Sequence, residues 1–352
     1  MGKTLEEIKD SIDNYDFTIN TLLCFVSLAT WPNHFNNPEL FYSLGRRMDT
    51  SDKNPILRNK ETITPDAIIQ LSKEKGLIVE VKASLPDDET RWNRCSDQLI
   101  KYDDELKGWW TSNKRVTTSK VIFLIYQSLA VKFKNYFEIY LQNKEINNDD
   151  FVHIEFMKES RRKEFIFFRF SYNKLSEFNH IENIKKLEEG ISIPINDVRN
   201  SYGSIKFYDG RPELEYLIAI IWQDSLNYRR SDTSFDKRKK CWPISVNVRD
   251  LTEELQKSFG SIQIRKSCND NSIERNVEFP RINWVRGALK ILVNIDLGEK
   301  IDEENYIIYF KRIQGEVIDY FFKKIRDRKT KIKKDLNEKD QLKLFGESKK
   351  SH

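Results

Sequence analysis

Two acidic residues and a lysine in the first third of the chain have the types and spacing of a metal-assisted hydrolytic site. Asp66 precedes the apolar segment AIIQL, and Glu80 and Lys82 lie in a second apolar segment, GLIVEVKASL. The charged sequence SKEKG between them predicts a turn, so the segments form a hairpin that brings Asp66 close to Glu80. Two converging carboxylates suit a hard divalent cation, and the lysine can orient or deprotonate water or neutralise phosphoryl charge.

The second segment also places charges where burial is expected. As a strand, it puts Glu80 and Lys82 on the same face as Ile78, whereas the other face is apolar. A strand this apolar is typical of an α/β core, where charged groups are costly unless a nearby function uses them. The structural alternative is a solvated edge strand, with Pro65-Asp66 as the turn that starts its neighbour.

The order and spacing of these residues resemble the sequence motif of a known family. Pro65-Asp66, 13 intervening residues and then Glu80-Val81-Lys82 is similar to the motif of the PD-(D/E)xK nuclease superfamily, which has the restriction endonuclease-like fold. The core of that fold is a helix, a three-stranded meander, a helix and a further strand, and residues 38–127 match this order. Gln98 and Tyr102 match a glutamine and tyrosine that often follow the lysine strand in the family.

The resemblance implies a role for each matched residue. Asp66 and Glu80 would be metal ligands, and Glu39, on the predicted first core helix, would be a further or water-mediated ligand. Lys82 would activate water, and Gln98 and Tyr102 would support the site or contact the substrate. The alternative that the sequence favours for Tyr102 is a structural role. The implied cofactor is Mg²⁺ or Mn²⁺, and the implied reaction is hydrolysis of DNA phosphodiester bonds by a metal-activated water.

The composition excludes several other classes. The 352 residues carry a net charge of +5, and their 22 Phe, 14 Tyr and 7 Trp exclude a disordered chain. Four scattered cysteines are too few for a disulfide scaffold and lack the spacing of a metal knuckle. The longest apolar run near the start, TLLCFVSLATW, is about half of the ~20 residues that cross a bilayer. We therefore expect a cytoplasmic protein with no membrane partner.

The elements that would position the site alternate between helix and strand. Helices are predicted over residues 5–30, from Asn37 through PELFYSLGRRM, and over residues 86–110, with the hairpin between the last two. A buried strand follows from Ser119, and then another helix and two aromatic strands. This order predicts an α/β (α+β) fold, with a restriction endonuclease-like central mixed sheet flanked by helices.

The second half of the chain predicts a mostly helical domain. Helical segments begin at Pro212, Val248 and Arg281, and the extended segment EENYIIYFKRI follows them. A winged helix-turn-helix is one form that fits, although the 20-odd residues between the second and third helices are long for it. The predicted domains are a nuclease domain at 1–175, a DNA-binding domain at 205–325 and a charged tail at 326–352.

The positive charge is concentrated in this second half. Arg229–Lys240 and Lys323–Lys334 are dense basic runs, which fit binding of a phosphate backbone. The helix RINWVRGALK would lie beside them as a recognition helix and would offer to DNA the side chains of Arg281, Asn283, Arg286 and Lys290. The alternative is that these charges form an ordinary solvated surface.

The tail contains a second resemblance. Gln341-Leu342-Lys343-Leu344-Phe345 is similar to the QLxLF peptide by which bacterial polymerases and repair proteins dock on the DNA sliding clamp. The expected partner-binding side chains are Gln341, Leu342, Leu344 and Phe345. The alternative is an amphipathic tail that folds back on the body.

Together these features predict a metal-dependent DNA endonuclease. It would act in restriction or anti-phage defence, in DNA repair or in transposition, and other subunits of such a complex would be its partners. Two alternatives remain open at this point. One is a non-catalytic nucleic-acid-binding protein on a nuclease scaffold, and the other is an RNase that acts on structured RNA.

Overall fold

The computed structural model describes most of the chain. The described residues are 3–30, 41–44, 48–49, 62–63, 65–71, 75–83, 88–106, 110–111, 114–115, 118–162, 165–172, 184–202, 205–208, 210–260, 263–266, 273–276 and 279–331.

Along the sequence, helices occur before, between and after the strands. In chain order they are α1 (Leu5–Thr30), α2 (Glu89–Leu106), α3 (Gln127–Asn143), α4 (Ile184–Glu189), α5 (Ile195–Tyr202), α6 (Leu214–Ile220), α7 (Asn227–Arg229), α8 (Val248–Phe259) and α9 (Ile282–Asn294). A π-helical segment, Ile221–Leu226, joins α6 to α7, and a 3₁₀ turn, Arg230–Asp232, follows α7. Residues 317–331 are also helical, so helix extends beyond residue 326, the predicted start of the tail.

The strands are mostly short. In chain order they are β1 (Phe41–Leu44), β2 (Met48–Asp49), β3 (Thr62–Ile63), β4 (Ala67–Gln70), β5 (Lys75–Lys82), β6 (Trp110–Thr111), β7 (Lys114–Arg115), β8 (Thr118–Tyr126), β9 (Phe151–Arg162), β10 (Phe165–Tyr172), β11 (Ile191–Pro194), β12 (Trp242–Asn247), β13 (Gln263–Lys266), β14 (Ile273–Asn276), β15 (Gly298–Lys300) and β16 (Asn305–Phe310).

The chain divides into two compact units. Residues 13–211 and 258–279 form the large unit, and residues 1–12, 212–257 and 280–352 form the small unit. Each unit is therefore built from segments that are separated in the sequence.

This division differs from the predicted domains of 1–175 and 205–325. Residues 1–12 belong to the small unit, and residues 258–279, inside the predicted second domain, belong to the large unit. The reason is backbone pairing, because β13 and β14 lie in that segment and β13 pairs with β1 of the large sheet. Pairing between strands so far apart in sequence leaves no local pattern to read.

The large unit is built on one mixed sheet. Its order among the described strands is β11-β10-β9-β8-β5-β4-β1-β13-β14. The central strands β5, β8 and β9 are parallel, and the other neighbours in the sheet are antiparallel. Parallel strands need cover on both faces, which accounts for the apolar sequences of β5 and β8.

Helices cover both faces of this sheet. Helices α1, α4 and α5 pack their apolar side chains on one face, together with Leu77, Val79 and Ile122 from the strands. Helices α2 and α3 cover the other face, where Ile78 and Phe123 point. The predicted α/β class, with a central mixed sheet flanked by helices, is therefore confirmed.

The predicted helix from Asn37 through PELFYSLGRRM is wrong at Phe41–Leu44, the part of its first two turns that the structure describes. Residues Phe41–Leu44 form strand β1, which pairs with β4 on one side and with β13 on the other. The apolar residues of a short segment fit a helix and a strand equally well. Two neighbouring strands that each supply hydrogen bonds decide the outcome here.

The small unit contains a small antiparallel sheet among its helices. The sheet order is β12-β16-β15, so β16 lies in the middle. Helix α9 contributes a buried face to this unit, made of Trp284, Val285, Ala288 and Leu289 with Leu292. The predicted helices from Pro212, Val248 and Arg281 are all present. Across the described ranges, no helix has both the length and the apolar character required to traverse a bilayer.

Candidate functional site

The β4–β5 hairpin places Asp66 opposite Glu80. Ile68 pairs with Ile78 and Ala67 with Val79, so the next pair in the same register is Asp66 with Glu80. The backbone N–H of Val81 donates to Oδ2 of Asp66 at 2.8 Å, which fixes the Asp66 carboxylate beside the end of β5. The structure therefore brings together the two carboxylates that the sequence predicts as a pair.

Glu80 is buried but has partners for both of its oxygens. Its side chain is 3% exposed. Oε1 accepts a hydrogen bond from Nζ of Lys82 at 2.5 Å, and Oε2 accepts one from the hydroxyl of Tyr102 at 2.9 Å. Lys82 itself keeps about a quarter of its side chain exposed, at 26%. The ion pair thus has a buried carboxylate and an ammonium that reaches towards solvent.

Helix α2 contributes two hydrogen-bonding side chains to the site. Gln98 Nε2 donates to the hydroxyl of Tyr102 at 2.5 Å, and that hydroxyl in turn donates to Glu80. Residues four apart lie on one helix face, so α2 presents both side chains to the end of β5. The predicted residues Asp66, Glu80, Lys82 and Gln98 therefore lie in one connected cluster.

Two further side chains, those of Tyr102 and Cys95, lie on the same side of α2 as Gln98. The sequence favours a structural role for Tyr102 and the family resemblance implies a role in the site; in the structure its hydroxyl links Gln98 to Glu80. Cys95 is also buried on α2, three residues before Gln98. The signal in the sequence is the helical spacing of Cys95, Gln98 and Tyr102, which places all three on the same side of α2.

The electrostatics of the cluster keep Lys82 protonated. Burial alone would lower the pKa of Lys82, but the negative charges of Glu80 and Asp66 together outweigh burial and raise it. In this arrangement Lys82 is an ammonium that donates hydrogen bonds and not a free base. Its positive charge is therefore available to an anionic group at the end of β5.

The neighbouring groups on α2 are held in their neutral forms. Burial and the charges of Glu80 and Asp66 raise the pKa of Tyr102 above its usual range, so the phenol remains a hydrogen-bond donor. Burial raises the pKa of Cys95 to about 12, so its thiol is not a nucleophile near neutral pH.

The carboxylates fit a hard divalent cation. Mg²⁺ is usually held by one or two carboxylates, with water and substrate phosphates as its other ligands. Asp66, directly before β4, and Glu80, on β5, supply two such carboxylates. Over the described part of the chain no group of three or more His, Cys, Asp or Glu side chains forms a metal cage. Glu39, the predicted third ligand, lies outside the described residues.

The predicted DNA-binding residues lie at α9 of the small unit, in different environments. Arg281 precedes the helix, and its guanidinium lies 5.7 Å from the ring centroid of Trp284. A guanidinium nitrogen of Arg286 is 3.8 Å from Oε1 of Glu304. Asn283 and Lys290 are exposed. Arg286 is therefore turned towards an acid of its own unit.

The predicted clamp-binding peptide, with Gln341, Leu342, Leu344 and Phe345, lies outside the described residues.

Comparison of the chain with protein-family models, with curated proteins and with solved structures finds no match.

Proposed function

We propose that the chain is a metal-dependent DNA endonuclease whose large unit hydrolyses phosphodiester bonds. The observation that carries this proposal is the buried Glu80, which lies opposite Asp66 and is paired with Lys82. A buried ion pair adds little stability compared with apolar residues of similar size. Charged groups gathered at the end of a buried strand are instead typical of a reaction site.

The residues of the cluster would have different roles in the reaction. Asp66 and Glu80 would hold Mg²⁺ or Mn²⁺. When bound, the cation would supply Lewis-acid stabilisation of charge on the phosphoryl oxygens. The ammonium of Lys82 would neutralise charge on the scissile phosphate. Tyr102 and Gln98 act as positioning residues, because they fix the orientation of the Glu80 carboxylate.

The order of elements supports a restriction endonuclease-like core. Helix α1, the antiparallel strands β1, β4 and β5, helix α2 and the parallel strand β8 follow one another, with short strands inserted between β1 and β4. This is the helix, meander, helix and strand order of that fold. The helix that opens the core is α1 and not the segment from Asn37.

The order of elements in the small unit supports a winged helix. Helix α6 with its extension, strand β12, helices α8 and α9, and strands β15 and β16 follow in that order, and β12 pairs with β16. The segment between α8 and α9 is long because it contains β13 and β14, which belong to the large sheet. We propose that the small unit binds the DNA that the large unit cuts.

The pathway could be restriction or anti-phage defence, DNA repair or transposition. The peptide Gln341–Phe345 favours a link to replication or repair, because a short apolar peptide on a charged tether can dock on the sliding clamp. Such tethering would raise the local concentration of the nuclease at replicating DNA.

A plasmid cleavage assay tests the proposed function. We expect the full chain to cleave supercoiled DNA with Mg²⁺ or Mn²⁺ and not in EDTA. Asp66→Asn, Glu80→Gln and Lys82→Met should each lower the rate by about 100-fold or more, because each removes a charge from the reaction site. Glu188→Gln, at an exposed position on α4, is the matched control and should cleave at the parent rate.

Two results would contradict the proposal. One is a parent rate of cleavage in the Glu80→Gln and Lys82→Met proteins, with folding verified by circular dichroism. The other is calorimetry in which Mn²⁺ does not bind, or binds equally well to the Asp66→Asn protein; that result would favour a non-catalytic nucleic-acid-binding protein. Digestion of duplex RNA in parallel separates a DNase from an RNase.

A further inference from the structure

The small sheet of the small unit separates positive from negative charge along its strands. Trp242 pairs with Phe310 at one end of the β12–β16 ladder, and Asn247 pairs with Asn305 at the other. At about 3.3 Å per residue these ends are about 17 Å apart. Basic residues lie before β12 and after β16, at the first end, whereas the acidic β15–β16 connection lies at the second.

The first end carries a rigid basic turn. Residues Lys237–Lys240 are exposed and are enclosed by backbone hydrogen bonds between Asp236 and Cys241. Oδ1 of Asp236 accepts hydrogen bonds from the backbone N–H groups of Arg238, at 2.8 Å, and Lys239, at 3.0 Å. The carboxylate of Asp236 is thus used to hold the turn, and the basic side chains project from a fixed backbone.

Two more cations lie beside the turn because β12 and β16 are paired. Lys311 and Arg312 directly follow β16 and are exposed. Because β12 and β16 are antiparallel, the start of β12 and the end of β16 lie side by side. We call this surface, Lys237–Lys240 with Lys311 and Arg312, the basic end. The sequence separates its two parts by 70 residues, and only the β12–β16 pairing brings them together.

Most cations of the basic end have no acidic partner. Within the ranges that the structure describes, Lys237, Arg238, Lys240, Lys311 and Arg312 form no ion pair. Lys239 differs, because its Nζ donates to the hydroxyl of Tyr309 at 2.9 Å.

Two other arginines of the same basic run face the protein. Arg229 is ion-paired with Glu254, and Arg230 lies over the ring of Trp242, 5.7 Å from its centroid. Within the basic run Arg229–Lys240, the cations that face solvent are therefore those of the turn Lys237–Lys240.

The second end of the sheet is acidic. The connection between β15 and β16 contains Asp302, Glu303 and Glu304. Glu304 is 2.9 Å from Nε of Arg249 and 3.8 Å from Arg286. In a winged helix this connection is the wing, and acidic side chains there repel phosphate groups. Glu303 is ion-paired with Lys300 and Glu304 with Arg249, so these cations beside the connection already have acidic partners, unlike most of those of the basic end.

We propose that the basic end holds the phosphate backbone of duplex DNA and that α9 with the acidic connection does not. The inference rests on the proposed function, in which DNA is the substrate, and it names the surface that binds it. When exposed lysines and arginines contact phosphate groups, counterions are released from the DNA, and this release drives binding at low salt. Phe235, which is 45% exposed beside the turn, supplies apolar contact to the sugars.

Fluorescence anisotropy with a labelled DNA duplex in EDTA tests this inference with the full chain. Lys237→Ala/Lys311→Ala removes two charges from the basic end, and Lys257→Ala/Lys290→Ala removes two exposed charges from α8 and α9. We expect the first variant to bind about 10-fold or more weakly at moderate salt and to lower the slope of log K against log salt by about 2. The second variant should bind within about threefold of the parent.

The inference is overturned if the first variant binds as the parent does, or if the second loses as much affinity. It is also overturned if the first variant loses affinity for duplex RNA but not for duplex DNA. All four substituted residues are at the surface, so melting curves that match the parent verify folding. Since EDTA prevents cleavage, binding is measured apart from catalysis. A chain that binds through the basic end but never cleaves would contradict the proposed function alone.

Discussion

Glu80 is stabilised inside the large unit by groups that come from two different elements. Lys82 approaches it along the same strand, and Tyr102 approaches it from α2. A buried acid with an incomplete set of partners would carry a desolvation cost of several kcal/mol. The hydroxyl of Tyr102 therefore has a part in both the stability of the site and the orientation of the carboxylate.

Removal of that hydroxyl gives a prediction at the scale of one residue. Tyr102→Phe should lower the free energy of unfolding by about 1–2 kcal/mol, because one oxygen of Glu80 then lacks its donor. It should also lower kcat for DNA cleavage while leaving KM nearly unchanged, because the hydroxyl positions Glu80 and does not contact the substrate. Urea denaturation and steady-state cleavage kinetics measure the two effects.

Tyr140→Phe is the matched control for this variant. The hydroxyl of Tyr140 donates to Oδ1 of Asp97 at 2.7 Å, and Asp97 has half of its side chain exposed, at 49%. Water can replace that hydrogen bond, so the change in stability should be under about 1 kcal/mol and kcat should not change. Equal effects in the two variants would remove the positioning role of Tyr102.

At the scale of elements, the packing of α3 on β8 and β9 encloses a histidine. His153 on β9 is 4% exposed and lies among the rings of Phe123, Phe133 and Phe137. Its Nδ1 has no hydrogen-bond partner within the described structure. Burial, with a smaller contribution from the charge of Lys134, lowers the pKa of His153 to about 4. The imidazole is therefore neutral in the folded protein near neutral pH.

This histidine should make the large unit sensitive to acid. In the unfolded chain a histidine takes up its proton near pH 6.5, well above the folded pKa, so the free energy of unfolding falls as the pH falls from about 6.5 to about 4. The full loss is about 3 kcal/mol. His153→Phe should flatten this part of the stability profile, as measured by urea denaturation at several pH values. An unchanged slope in the variant would show that other groups cause the acid sensitivity.

Element types were predictable where the sequence pattern is long or strongly alternating. The hairpin of β4 and β5, helix α2 and the helices of the small unit all follow from apolar periodicity. The state of Phe41–Leu44 did not follow from the sequence, because four residues are too few to distinguish helical from strand periodicity. Its state depends on β4 and β13, which supply hydrogen bonds on both sides.

At the scale of the whole molecule, the large sheet is completed by a distant segment. Strands β13 and β14 lie between two helices of the small unit in the sequence, yet they extend the large sheet beyond β1. Without them β1 would be an edge strand with unpaired backbone groups on one side. The segment therefore contributes to the stability of the unit that holds the candidate site.

Replacement of residues 262–277 by a short Gly/Ser linker tests this dependence. We expect the backbone amides of β1 to lose protection from hydrogen exchange, because half of the strand's partners are removed. The amides of α9 and β16 should keep their protection, since these elements belong to the small unit. Hydrogen exchange measured by mass spectrometry reports both regions in one experiment. Equal loss of protection in α9 would contradict this division of the chain.

The sequence by itself determined the spacing of Asp66, Glu80 and Lys82, the hairpin that pairs the two acids, and the helix face that carries Gln98. These features are local, because strand alternation and helical periodicity operate over a few residues. The tertiary structure alone decided that Tyr102 completes the Glu80 network, that Phe41–Leu44 is a strand, and that Lys311 and Arg312 join the basic turn. Each of these depends on contacts between segments far apart in the chain, which no local pattern encodes.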